Sequence, residues 1–188
     1  MSIAVLTHET LDDLMRHDGK AELINGRIVP IMPSGVLPIR VAKRILRSLD
    51  DYVEKLGRGE VFGDCLGYGI KPPLANGREA FCPDLSYFAG KLPTNLMKFI
   101  MDAPTFAVEF RSDSDYGPAK DREYEDKRDD YFTVGTQVVW DVDPKAKVVT
   151  SYKLSDPANP IAFHLGDTAD AKPAVPVWRL PLDDLFAS

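Results

Sequence analysis

The sequence predicts an α/β (α+β) fold, and three features of the 188-residue chain lead to that prediction. An Asn25-Gly26 turn joins two short apolar segments, which is the pattern of a β-hairpin. Apolar residues recur at helical spacing through residues 36–56 and predict a long amphipathic helix. Two apolar segments with the length of core strands, 106–111 and 137–144, flank a helical segment at about 119–132. Strands and helices therefore alternate along the chain.

The remaining segments extend this prediction towards both ends of the chain. We expect a short helix at residues 7–15, ahead of the hairpin, and a strand at 147–152 that returns from the 137–144 strand. A helical turn is expected at 96–100, and a proline-rich tail from about residue 155 returns to the sheet edge. With 44% hydrophobic residues the chain can bury a full core, so we expect residues 1–188 to form one domain.

Composition and charge limit the partners and the cellular compartment that we expect for this protein. The net charge of -6 and the pI near 5.1 do not indicate a nucleic-acid-binding protein, so any such binding must use a local basic patch. The two cysteines, Cys65 and Cys82, form no Cys-x-x-Cys pair, which favours free thiols in a reducing cytoplasm. No apolar run approaches the roughly 18 residues that a membrane helix needs, so no membrane partner is expected.

Charged residues inside a core strand are the strongest indication of a functional site. Side chains alternate along a strand, so Glu109 and Arg111 share one face of the 106–111 segment. Asp84 begins an earlier strand. Two carboxylates on neighbouring buried strands repel each other unless a cation or strong donors compensate them. A divalent metal with oxygen ligands would do so, and an ion pair between Glu109 and Arg111 with a purely structural role is the alternative.

A lysine in the next helix can reach the same site. Lys120, Tyr124, Lys127 and Tyr131 recur at helical spacing, and the rest of that helix is strongly acidic, so this face should pack inward. Lys127 then either joins the carboxylates or extends along the edge of the packed face towards water. Glu22, on the first strand of the hairpin, is either a further member of the site or an exposed strand residue.

One basic patch stands out on the predicted 36–56 helix. Four cationic residues recur at helical spacing along one side of it, namely Arg40, Lys43, Arg44 and Arg47. They either contact a phosphate backbone or form a solvent-exposed face that pairs with nearby acidic residues. The sequence lacks the motifs of histidine zinc sites, serine hydrolases and nucleotide-binding proteins. The three histidines are scattered, and the chain has no Gly-x-Ser-x-Gly elbow and no phosphate-binding glycine loop.

Several short motifs, in order, resemble a known family. The Pro83-Asp84 pair followed by Glu109-x-Arg111 resembles the PD-(D/E)XK nuclease signature, and the surrounding sequence is similar to the Uma2 family of restriction-endonuclease-like proteins. The matching segments are Glu22-Leu23-Ile24-Asn25-Gly26, Pro83-Asp84-Leu85-Ser86, Val108-Glu109-Phe110-Arg111-Ser112, Lys127-x-x-x-Tyr131-x-x-x-Gly135, Trp140-Asp141-Val142-Asp143-Pro144 and Leu182-Asp183-Asp184-Leu185-Phe186. The chain departs from the family pattern at Pro38, where a histidine is common, and at Arg111, where an apolar residue is expected.

The resemblance implies both a fold and an activity. The fold would be restriction-endonuclease-like, with a central mixed sheet flanked by helices and preceded by a helix and a β-hairpin. The activity would be Mg²⁺-dependent (or Mn²⁺-dependent) hydrolysis of DNA phosphodiester bonds. Asp84 and Glu109 would bind the metal, Lys127 or Arg111 would supply the catalytic cation, and Glu22 would be an additional acidic residue.

Two further expectations concern the setting of this activity. Cutting two antiparallel strands suits a two-fold assembly, so we expect a cytoplasmic homodimer that acts on nucleic acid. Arg111 cannot readily release a proton and could also fill the metal site. The alternative function is therefore a nuclease-like domain that no longer cuts and serves as a binding or assembly module.

Overall fold

A six-stranded mixed sheet forms the centre of the protein in the computed structural model, which describes residues 8–63 and 65–187. The helices are α1 (Leu11–Leu14), α2 (Val36–Leu56), α3 (Pro118–Thr133) and α4 (Leu182–Leu185). The strands are β1 (Ala21–Ile24), β2 (Arg27–Pro30), β3 (Glu60–Gly63), β4 (Tyr68–Gly69), β5 (Ala80–Phe81), β6 (Leu85–Phe88), β7 (Phe106–Phe110), β8 (Val138–Asp143), β9 (Val148–Lys153), β10 (Asp156–Phe163), β11 (Thr168–Ala171) and β12 (Val175–Pro181).

The strand order of the central sheet explains the position of α3. The order is β10-β9-β8-β7-β6-β3, and every neighbouring pair is antiparallel except β7 and β8. Parallel neighbours need a crossover connection, and here α3 makes that crossover. The parallel register places Glu109 of β7 opposite Asp141 of β8.

Each face of the sheet is covered by a different helix, because side chains alternate along β7. Phe106, Val108 and Phe110 pack in one cluster with the buried stripe of α2 and with β12 and α4. Ala107 packs in a second cluster that contains Tyr131 of α3. Glu109 therefore belongs to the α3 side of the sheet, as the alternation predicts.

The predicted fold class is confirmed, with corrections outside the central sheet. The hairpin of β1 and β2 and the bounds of α2 agree with the sequence analysis. The amino-terminal helix is limited to Leu11–Leu14, and the first residue of its predicted range, Thr7, lies outside the described residues. The helical turn predicted at 96–100 is wrong, because a hydrogen-bonded turn covers only 96–97 and Ile100 forms an isolated β-bridge with Tyr68.

The carboxy-terminal tail is more regular than predicted. It forms β10 at the edge of the central sheet, then the separate β11–β12 pair, and then α4. β10 pairs with β9 and β11 with β12, each its neighbour in the sequence, and these are edge strands, where a proline that lacks the N–H is tolerated. No helix among residues 8–63 and 65–187 has the length and apolar character needed to cross a membrane.

The expectation of two free thiols is also corrected. The structure joins Cys65 and Cys82, which are 17 positions apart in the sequence, as a disulfide with Cα atoms 4.6 Å apart. The two residues lie on different segments that only the tertiary fold brings together, so their spacing in the sequence gave no indication of the pairing.

Candidate active site

Lys127 lies at the centre of a group of buried charged side chains. Its ammonium group is 2.9 Å from Oε1 of Glu109 and 3.0 Å from Oε1 of Glu22. Glu22 comes from β1, Glu109 from β7 and Lys127 from the middle of α3. The fold thus brings together three candidate residues that are widely separated in the sequence.

Tyr131 makes a further contact to Glu109. It follows Lys127 by one helical turn on α3, so both side chains point towards β7. The Tyr131 hydroxyl donates to Glu109 Oε1 at 2.7 Å. Burial, with Glu109 and Glu22 nearby, raises the pKa of Tyr131 well above its usual range, so the hydroxyl stays protonated and can donate. Oε1 of Glu109 is therefore contacted by the Lys127 ammonium group and also accepts the hydrogen bond from the Tyr131 hydroxyl.

Asp84 lies beside this group at the end of the sheet. It immediately precedes β6, and because β6 and β7 are antiparallel, the start of β6 lies next to the end of β7. The backbone N–H of Phe110 donates to Oδ2 of Asp84 at 2.9 Å. Burial raises the pKa of Asp84, although that hydrogen bond and the charge of Lys127 oppose the effect.

The three carboxyl groups differ in how well their charge is compensated. Burial raises the pKa of Glu109 to about 7, since the negative charges of Asp84 and Glu22 partly counter the attraction of Lys127. Burial also acts on Glu22, but Lys127 and Arg78 outweigh it and lower the pKa of that carboxyl. Burial lowers the pKa of Lys127, and Glu109 and Glu22 more than reverse this, so the lysine remains charged.

Asp84 and Glu109 are the carboxyl groups whose charge is least compensated, and a divalent cation would stabilise both. Glu22 is paired with Lys127 and Arg78, whereas the pKa values of Asp84 and Glu109 stay raised by burial. No hydrogen bond from the described residues reaches Asp84 Oδ1 or Glu109 Oε2. Within residues 8–63 and 65–187, no three or more His, Cys, Asp or Glu side chains are arranged to hold a metal. Mg²⁺ typically uses only one or two carboxylates and completes its shell with water and phosphate oxygens. The pair of Asp84 and Glu109 fits that donor set.

A second layer of buried charge holds Glu22 in place. Arg78 donates through Nη1 to Glu22 Oε2 and through Nε to Asp130 Oδ2, the latter at 2.7 Å. Asn76 donates to both oxygens of Asp130, at 2.8 and 2.9 Å. The N–H of Cys82 donates to Glu22 Oε1 at 3.1 Å. Glu22 therefore has donors on both oxygens and links the site to the 76–78 turn.

Arg111 does not pair with Glu109 and therefore does not fill the candidate metal site. Its guanidinium bonds to Asp141 on β8, at 2.9 Å for the shortest contact, and to Asp121 on α3 at 2.7 Å. It also stacks on the ring of Tyr124, 4.7 Å from the centroid. Its hydrogen bonds to Asp141 raise the pKa of Arg111, so it is permanently charged. Among the described contacts, Lys127 rather than Arg111 reaches Glu109.

The basic residues of α2 are not equivalent. Arg44 donates to the backbone carbonyls of Leu185 and Ala187 and so fastens the carboxy-terminal segment to α2. Arg40, Lys43 and Arg47 are exposed. Contacts of these three residues with a phosphate backbone remain a prediction.

The sequence analysis missed two parts of the site. Tyr131 was interpreted as a packing residue, although its spacing from Lys127 already placed both on the same helical face. Arg78 and Asp130 were not singled out at all, since nothing in their local sequence relates one to the other. An arginine six residues before an acidic site residue is too common to serve as a signal.

The fold and the buried carboxylate–lysine group define the class as a restriction-endonuclease-like α/β protein. Residues 7–183 match the Uma2 family, described as "Putative restriction endonuclease", and the chain belongs to that family. The fold is similar to that of a protein from Anabaena variabilis titled "putative nuclease belonging to DUF820". That match has a TM-score of 0.73 and 20% identity and covers 94% of this chain and 97% of the other. No curated protein matches the sequence.

Proposed function

We propose that the protein is a metal-dependent endonuclease that hydrolyses phosphodiester bonds in DNA. The observation that carries the proposal is the joint contact of Lys127 with Glu109 and Glu22, next to an Asp84 carboxylate that shares the same end of the sheet. Phosphodiester hydrolysis needs groups that hold a metal and a fixed positive charge near the scissile phosphate. Membership of a family described as restriction endonucleases supports the same reaction.

Each side chain has a defined role in this proposal. Asp84 and Glu109 would hold Mg²⁺ or Mn²⁺, which when bound supplies Lewis-acid polarisation of the phosphate and lowers the pKa of water. Lys127 stays charged and would stabilise negative charge that develops on the phosphate, but it cannot serve as a base. Tyr131 and Glu22 orient Glu109 and Lys127, respectively, through their hydrogen bonds.

Metal binding provides the direct test of this site. We expect Mn²⁺ titrated into the protein by isothermal calorimetry to bind, and the binding to be lost in Asp84→Asn and in Glu109→Gln. Asp183→Asn, a change of the same kind on an exposed residue of α4, is the matched control and should bind as the wild type does. If binding survives in both site variants, the proposed metal ligands are wrong. Metal-dependent cleavage of plasmid DNA then tests the reaction itself.

Metal affinity should depend on pH in a direction set by Glu109. Because its pKa is about 7, Glu109 is largely protonated at pH 6 and largely ionised at pH 8. A metal competes with that proton, so Mn²⁺ affinity should be about tenfold lower at pH 6 than its plateau at alkaline pH. Calorimetry across this range measures it. An affinity that stays constant between pH 6 and 8 would contradict the assigned role of Glu109.

The oligomeric state and the cellular location are part of the same proposal. A homodimer with two-fold symmetry would place two sites on antiparallel strands, and sedimentation of the protein with and without DNA tests it. We also propose a cytoplasmic location, which rests on the proposed DNA substrate alone, because the paired cysteines Cys65 and Cys82 no longer support it.

A non-cutting module that binds nucleic acid is the second candidate. It is favoured by the contact of Lys127 with both glutamates, because an ion-pair network that satisfies all three charges can serve stability alone. That candidate predicts no calorimetric signal with Mn²⁺ and no change of melting temperature with metal.

A further inference from the structure

An apolar groove, here called the α2 groove, lies on the opposite side of the sheet end from Lys127. It encloses about 620 Å³, which is within the usual range for small-ligand sites. One wall is the 31–34 segment, and the other is a face of α2. The α2 wall carries Ile39, Ala42, Lys43 and Leu46, which recur at helical spacing.

Asp84 connects the groove with the candidate metal site. The groove is lined by Asp84 itself and by the two strand ends beside it, Leu85 at the start of β6 and Phe110 at the end of β7. Phe110 is also the residue whose N–H holds Asp84. A molecule in the groove therefore lies next to any phosphate bound at Asp84 and Glu109.

The charges around the groove suit a nucleic-acid strand. Lys43 lines it, and the exposed Arg40 and Arg47 continue the positive charge along α2. The protein as a whole carries a net charge of -6, so an attraction to phosphate at this groove depends on the cationic side chains that are grouped beside it. The walls between these cations are apolar, with Met32, Ile39 and Leu46, and so provide a surface for the flat face of a base.

We propose that the α2 groove binds one unpaired nucleobase of the nucleic-acid strand whose neighbouring phosphate lies at Asp84 and Glu109. This inference rests on the proposed nuclease function and specifies its substrate class. A base within a duplex is stacked and paired, and it must leave the helix to enter such a pocket. Strands with an unpaired nucleotide beside the cleaved bond are therefore the favoured substrates, ahead of fully paired DNA.

Two groove variants and two matched controls test the proposal. Ala42→Phe fills the groove, and Ile39→Asp places a charge on its apolar wall, at a residue that is 54% exposed and outside the buried core. Ala158→Phe and Ile161→Asp make the same two changes at exposed positions of β10, at the opposite edge of the sheet.

The measurement is binding by fluorescence anisotropy, with Ca²⁺ in place of Mg²⁺ so that the strands stay intact. The probes are a duplex with one bulged 2-aminopurine nucleotide and the fully paired duplex of the same sequence, each made as DNA and as RNA. We expect wild type and both controls to bind the bulged DNA probe at least about tenfold more tightly than the paired one, because no pairing energy is lost. In both groove variants this preference should fall to within about twofold.

The possible outcomes separate this inference from the proposed function. Absence of a preference in wild type, or a preference retained in Ile39→Asp, overturns the inference. Groove variants that change the sedimentation of the protein but not its preference would assign the groove to a second copy of the chain and also overturn it. If wild type cleaves DNA with Mg²⁺ but shows no dependence on the groove, only the inference fails. If the groove-dependent preference is present and no strand is ever cut, only the nuclease proposal fails.

Discussion

Lys127→Met should lower the rate of DNA cleavage about 100- to 1,000-fold at saturating Mg²⁺, the loss that is typical when one preorganised donor to a developing negative charge is removed. Lys127 is the cation that contacts Glu109, and its pKa remains high, so the wild-type site carries this charge at any pH of interest. Methionine keeps the length and the apolar stem of the side chain but removes the ammonium group. Single-turnover cleavage of a labelled oligonucleotide measures the effect on the chemical step.

The control for this variant is on the same helix. Lys120→Met removes a lysine that pairs with Glu123 at the surface of α3 and does not contact the carboxylates of the site. Its cleavage rate should stay within about twofold of wild type, since exposed ion pairs contribute little. Equal rates in wild type and Lys127→Met would remove the lysine from the mechanism and favour the structural ion pair.

Arg78→Met should lower the free energy of unfolding by about 3–5 kcal/mol, the typical loss when one partner of a buried charge pair is removed. Arg78 is 7% exposed and contacts two carboxylates, Glu22 and Asp130, that are buried to a similar degree. Without the guanidinium, Asp130 loses the cation that it contacts and Glu22 keeps only Lys127, and neither buried carboxylate can reach water. Urea denaturation at pH 7 measures the change, with the slope of the transition checked for two-state behaviour.

Two comparisons make this prediction specific to the buried network. Arg179→Met removes an arginine that is 42% exposed and lies 3.7 Å from Asp170, so it should cost less than about 1 kcal/mol. Combining Arg78→Met with Asp130→Asn should recover part of the loss, because one of the unpaired charges is then absent. A loss below 1 kcal/mol in Arg78→Met, or strict additivity in the double variant, would show that the two groups do not interact.

Arg78 should also matter beyond stability if it positions Glu22. Glu22 holds one side of the Lys127 ammonium group, so its release should weaken the placement of the lysine. In Arg78→Lys, which keeps a charge but not the fork-shaped guanidinium, part of the stability should return while the cleavage rate remains below that of wild type.

The periodicity of the sequence was sufficient to predict the elements on which the site is built. The alternation in the 106–111 segment placed Glu109 on one face of β7, and helical spacing placed Lys127 and Tyr131 on one face of α3. These predictions succeed because a strand and a helix each have a fixed period, so neighbouring residues determine which face a side chain shares.

Contacts between distant segments were decided only by the tertiary structure. An ion pair between Arg111 and Glu109, its neighbour on the same strand face, was one alternative left open by the sequence. Arg111 instead pairs with Asp141 on the adjacent strand, whose register the sequence does not reveal. The Arg78 network joins residues 52 and 56 positions apart, and the Cys65–Cys82 pairing and the α2 groove likewise arise where separate segments meet. Local patterns determine the direction in which each side chain points, whereas its partner depends on how the whole chain packs.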